Sequence, residues 1–99
     1  MNIGSLHIVK KWFWLLFPTK ETVVHVDAPF AIDDAEAAVA SAYYSKSYNC
    51  EVTYFSPDST VVFLEEDGKF KRVLTSDGKI GWIWVHENYN DCFEEVKTE

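Results

Sequence analysis

Two short glycine-containing turns constrain this chain more than any other feature. Asp67-Gly68 and Ser76-Asp77-Gly78 each divide runs of residues written for extended structure. Residues 60–66, 69–75 and 79–85 are rich in β-branched, aromatic and alternating apolar side chains. An Asp-Gly pair between two such runs selects the tight turns whose twist matches paired strands. The pattern therefore predicts a three-stranded antiparallel meander. A further strand is predicted over 51–55, entering the meander through Ser56-Pro57-Asp58-Ser59, with proline at the second turn position.

Alternation then assigns faces. Along 79–85, Ile80, Trp82 and Trp84 point one way, while Gly81, Ile83 and Val85 point the other. Only one face of a small β-domain meets the core. With Ile83 and Val85 inward, two tryptophans stand on the outside. Large aromatics there either form an interface or are covered by another part of the chain.

The remaining segments are read in the same way. Residues 5–17 are predicted as a helix, capped by Ser5 and limited by Pro18, with Val9, Trp12, Phe13 and Leu16 on one face. His7, Lys10, Lys11 and Trp14 share its opposite face. This helix is the candidate cover for the tryptophans; the alternative is that it lies on an anionic membrane surface. The β-branched run 22–27 is predicted as a strand, broken by Ala28-Pro29. Asp33 and Glu36 form a capping box that opens a second helix, running to about Tyr44, with Ala35, Val39 and Tyr43 at helical spacing.

The half beginning at Glu51-Val52-Thr53-Tyr54 resembles Src-homology-3 domains, in particular the bacterial Src-homology-3-like type. The resemblance runs through Val61-Val62-Phe63-Leu64-Glu65-Glu66-Asp67-Gly68 and Lys69-Phe70-Lys71-Arg72-Val73-Leu74 to Asp77-Gly78-Lys79-Ile80-Gly81-Trp82-Ile83, about a third of the chain. It implies a mainly β fold, a small Src-homology-3-like barrel; together with the segments read above, this gives a barrel domain over residues 21–99 with one inserted helix and an N-terminal helical segment, 1–20, packed on it. Peptide-binding members open their third barrel strand with an aromatic residue that lines a groove for proline-rich peptides. Lys69 stands at that position. The family's closing Pro-Ser-Asn-Tyr is echoed only by Asn88-Tyr89, two positions late. The resemblance therefore does not imply recognition of proline-rich peptides.

Composition limits the range of functions. The chain has 99 residues, 47% of them hydrophobic and 25% charged, which is one domain with enough apolar content for its own core. The net charge of −7 is unevenly spread: Lys10, Lys11 and Lys20 make residues 1–20 +3, leaving −10 on the rest. Such a protein is repelled by phosphate backbones, so direct nucleic-acid binding is not expected, whereas a protein partner with a basic surface is. The apolar stretch 12–17 is too short for a secretory core or a membrane span. A cytoplasmic protein is expected.

Catalytic and metal patterns are sparse. His7, His25 and His86 show no metal-ligand spacing, and the four glycines form no phosphate-binding loop. No cofactor is expected. Cys50 and Cys92, 42 positions apart, are read as reduced thiols that could pair only if the fold brought them together. Cys92 lies six residues after His86 without a motif to couple them. The expectation is a non-catalytic module that docks on or occludes a partner through Trp82, Trp84, Tyr89 and the carboxylates Glu65, Glu66 and Asp67. Its profile is that of immunity or phage anti-defence proteins, which inhibit an enzyme or a nucleic-acid machine. The competing readings are a cell-wall peptide-binding domain and a membrane-tethered adaptor.

Overall fold

The computed structural model describes residues 3–86 and 91–97. The meander is its backbone. β5 (Thr60–Asp67), β6 (Phe70–Thr75) and β7 (Ile80–Trp84) pair antiparallel in sequence order. Gly68 opens the two-residue loop between β5 and β6 with φ of 62°, a conformation that costs a residue with a Cβ. The loop therefore lies one residue later than the sequence suggests. A register shift between Phe63 and Glu65 bends β5 before the hairpin tip.

β1 (Leu6–Val9) adds to the free edge of β5, and β8 (Phe93–Glu95) adds to β1, giving a five-stranded sheet in the order β7-β6-β5-β1-β8. A second, three-stranded sheet has β2 (Phe13–Leu16) between β3 (Phe30–Ala31) and β4 (Thr53–Phe55). The two sheets are fastened at one seam. Phe17 N–H donates to the Trp82 carbonyl at 3.0 Å, and Trp82 N–H donates to the Phe17 carbonyl at 2.6 Å.

The fold is thus mainly β, in two antiparallel sheets that do not close into a barrel. The helix expected over 5–17 is absent, and with it the helical character assigned to 1–20. In its place β1 and β2 run into different sheets, turned apart at Trp12, whose φ is 72°. The reason lies in two-sided burial. Trp14 and Leu16 face the main core between the sheets, and Leu15 and Phe17 face a second core under the helices. A strand covered on both faces is apolar at every position, and such a run mimics any periodicity. Its six apolar residues between Lys11 and Pro18 suit a strand better than a helix. The lipid-facing helix required for membrane tethering is likewise not formed, because the segment is extended and Trp14, Leu15, Leu16 and Phe17 are buried.

The strand expected over 22–27 is also replaced. Residues Lys20–Val24 form a short helix, α1, whose N-cap Thr19 accepts from Thr22 N–H at 3.3 Å. Val23 and Val26, three apart, are buried in the second core. Capping by Thr19 directly after Pro18 outweighs the β-preference of Thr22, Val23 and Val24. The predicted second helix is present as α2 (Asp34–Ser47). Asp33 accepts from Glu36 N–H at 2.8 Å, and Glu36 accepts from Ile32 N–H at 3.3 Å, a close variant of the expected capping box.

The main core gathers Val9, Trp14, Phe55, Phe63, Val73, Ile83 and Phe93 between the sheets. Among the described residues, every buried side-chain nitrogen or oxygen has a hydrogen-bond partner. His7 is one of these: its Nδ1 lies 3.0 Å from the Ser5 carbonyl and its ring stands edge-on to Phe63 at 4.7 Å. Gly81 is fixed by close approach. A Cβ there would lie 2.7 Å from the Phe17 carbonyl oxygen and 2.6 Å from Leu16 Cγ.

Candidate functional site

The hairpin register decides where the aromatic side chains lie. Pairing sets Phe70 opposite Trp84 and Arg72 opposite Trp82. Ile83 and Val85 are buried in the main core, so Trp82 and Trp84 occupy the outer face of β7, as alternation requires. Both are half-buried. Their cover is Phe17 and α1 rather than an N-terminal helix, since both indoles pack against the second core of Leu15, Phe17, Val23 and Val26. The Lys20 ammonium lies 5.5 Å from the Trp82 ring centroid, a cation–π contact.

Trp84 borders open space. It lines a cleft of about 480 Å³ together with Val24, Phe70, Gly68, Lys69 and Asp67. The cleft lies where the end of α1 meets the β5–β6 loop. Its floor is aromatic, Val24 stands exposed on one side, and Asp67 and Lys69 place opposite charges at the mouth. Phe70 could have been found from the sequence by counting back across the Ser76-Asp77-Gly78 turn. Val24 carried no such signal, because its segment read as a strand.

The three carboxylates assigned to this region do not form an open acidic patch. Glu65 lies 3.9 Å from Arg72, Glu66 lies 3.4 Å from Lys71, and Asp67 pairs with Lys20. The hydrogen bond and charge of Asp67 raise the Lys20 pKa above its ordinary value. Lys71 is itself buried, held by Glu66 and by the Gly68 carbonyl. Unpaired acidic charge gathers elsewhere: Asp27, Asp33, Asp34 and Glu36 crowd the approach to α2, and none forms an ion pair among the described residues. Tyr89, the remaining predicted site residue, lies outside the described residues.

A second concavity, of about 310 Å³, is lined by Asp34, Tyr54, Ser56, Thr75 and Asp77 among others. Its polar groups answer one another: the Tyr54 hydroxyl donates to Asp34 at 2.9 Å, and the Thr75 hydroxyl donates to Asp77. That hydroxyl holds the Asp77 carboxyl below its ordinary pKa. Cys50 and Cys92 are free thiols in different hydrophobic clusters. Burial raises the Cys92 pKa, which disfavours the nucleophilic thiolate. Among the described residues no group of three or more metal-ligating side chains converges, and no helix is long and apolar enough to cross a membrane. Comparisons of the chain with protein-family models, with curated proteins and with solved structures returned no match.

Proposed function

We propose that the protein is a non-catalytic binding module that docks a partner protein at the cleft beside Trp84. The cleft itself carries this reading. Its volume of about 480 Å³ falls within the range of built binding pockets, roughly 300–1,000 Å³. An aromatic floor with two opposite charges at the mouth suits one large apolar side chain flanked by polar backbone. Burying such an anchor in a desolvated pocket is how small interfaces concentrate their affinity.

The partner is a protein with a basic surface. Support comes from the net charge of −7 and from the unpaired acids near α2, which steer a cationic partner at long range. The carboxylates at the hairpin tip, each already paired, orient rather than attract. Docking of this kind inhibits by occlusion, the mode of immunity and phage anti-defence proteins. The Src-homology-3-like kinship belongs to the same proposal. It rests on the order of strands and turns over 51–85 alone; Lys69, which lines the cleft, departs from the aromatic residue that peptide-binding members carry at that position.

The test is co-purification from the native cell with tagged protein. A stoichiometric partner is expected, lost with Trp84→Ala and with Val24→Asp. The second variant alters an exposed cleft residue without touching either core, so loss of binding there is not loss of fold. A partner retained by both variants, each folded by circular dichroism, overturns the site.

A further inference from the structure

α2 is apolar on both sides, and the fold uses only one. Ala37 is buried, with Ala40, Ser41, Tyr44 and Ser45 half-buried beside it against β2, β3 and β4. The stripe that the sequence picks out, Ala35, Val39 and Tyr43, faces solvent. Val39 is 71% exposed, Tyr43 61% and Ile32, just before the helix, 68%. A surface helix normally presents charge on that side. Here Glu36 and Lys46 are the charged residues that accompany the stripe, one near each end.

We propose that this face is the interface of a homodimer in which α2 packs antiparallel against α2 of a second copy. A two-fold interface must be self-complementary: if residue i meets residue j, then j meets i. For antiparallel helices this requires contacting positions to be symmetric about one level of the helix. Val39 and Tyr43 are symmetric about position 41, and so are Glu36 and Lys46. One axis at that level therefore sets each Val39 against a Tyr43 and each Glu36 against a Lys46. Ala35 within the stripe and Ala42 beside it let the helices approach closely.

The charges commit the occupant to a second copy. Glu36 stands in the first turn and Lys46, the single base of α2, in the last. An antiparallel copy meets both with the opposite sign and opposes the two helix dipoles favourably. A uniformly basic partner would meet Lys46 with repulsion. The exposed helix is about 21 Å long, so the contact is smaller than the roughly 800 Å² per partner of a standard interface. The dimer is accordingly weak and concentration-dependent.

Sedimentation equilibrium of the full chain from roughly 10 μM to 1 mM is the experiment. The dimer mass is expected to emerge with concentration. Val39→Glu, Glu36→Lys and Lys46→Glu should each weaken association by at least about tenfold while circular dichroism shows the helix intact. The decisive arm mixes the two charge variants. Glu36→Lys alone brings lysines together and Lys46→Glu alone brings glutamates together, but an equimolar mixture restores both opposite-sign pairs and should recover the dimer. A monomer at every concentration overturns the proposal. So does a dimer indifferent to Val39→Glu, a mixture that stays monomeric, or a different protein found seated on this stripe.

Discussion

β7 carries Trp82 and Trp84 on its outer face, and α2 carries Val39 and Tyr43 on its own. The first pair is covered by α1 and Phe17 to half-burial, leaving a cleft at Trp84. The second pair stays mostly exposed, with Val39 at 71% and Tyr43 at 61%. What differs is the neighbouring chain. β7 is stitched to the segment entering α1 by the two Phe17–Trp82 backbone hydrogen bonds, which hold that segment against the indoles. The free side of α2 has no such tether, since the helix is anchored through its other face. An apolar surface within this fold is closed where the backbone binds the cover in place, and stays open where it does not.

The largest expected effect tests the covered side. Trp14 is buried between Phe30 and Phe93, with its Nε1 donating to the Lys11 carbonyl at 2.9 Å. Trp14→Ala empties the centre of the main core and removes that bond. It should cost about 3–5 kcal/mol in chemical denaturation. A loss below about 1 kcal/mol would mean that β2 is not the strand between the two cores.

Next comes the seam itself. Gly81→Ala places a Cβ against the Phe17 carbonyl, a backbone atom that cannot turn aside. The sheets must separate locally, at about 1–3 kcal/mol, and the Trp82 fluorescence should shift toward that of a solvated indole. An unchanged spectrum and midpoint would break the account of why this face is covered.

Removing the α2 cap is smaller. Asp33→Ala takes away the acceptor for Glu36 N–H and should cost about 1 kcal/mol. This is also where the sequence was most legible. Asp33 and Glu36 announced the helix start, and the Gly68 and Gly78 turns announced the meander, because each is a local device whose chemistry acts within four residues. The N-terminal strands were not legible for the opposite reason. Their continuous apolar run reflects two cores contributed by residues up to 80 positions away, and no short-range period encodes that. The solvent face of α2 was misleading in a third way. Alanine leaves both sides of a helix compatible with burial, so the helical spacing of Ala35, Val39 and Tyr43 did not say which side packs, and it is Ala37 and Tyr44 that pack inward. At the cleft, Trp82 and Trp84 were legible by alternation, but the pairing of Glu65, Glu66 and Asp67 with Arg72, Lys71 and Lys20 depended on cross-strand register and on α1.

Acid should loosen the β6–β7 turn slightly. The Asp77 carboxyl is held below its ordinary value of 3.8 by the Thr75 hydroxyl. A depressed carboxyl contributes stability fully above the unfolded-state value, and that contribution is lost as pH falls through the lower folded value. The difference in stability between the wild type and Asp77→Asn should therefore be constant at neutral pH and shrink below about pH 3.8. The carboxylate is largely exposed, so the effect is smaller than that of the cap. A difference that grows on acidification would reverse the assigned direction.

The smallest effect is the sharpest test of the comparison. Val39→Ser removes apolar surface from the open side of α2, and Ala37→Leu adds it to the covered side. At low micromolar concentration, below the range in which the proposed dimer is expected, Val39→Ser should change stability by no more than about 0.5 kcal/mol, because the side chain is 71% exposed in the folded chain. Ala37→Leu should cost about 1–3 kcal/mol, because Ala37 is fully buried and the larger side chain must displace its neighbours. The ordering is the reverse of what hydrophobicity alone would dictate, since the variant that gains apolar atoms is the one that suffers. If Val39→Ser instead cost more than about 1 kcal/mol in dilute monomer, some part of the same chain would have to cover Val39, and the contrast between a tethered and an untethered face would no longer explain why one apolar surface is closed and the other left for a second copy.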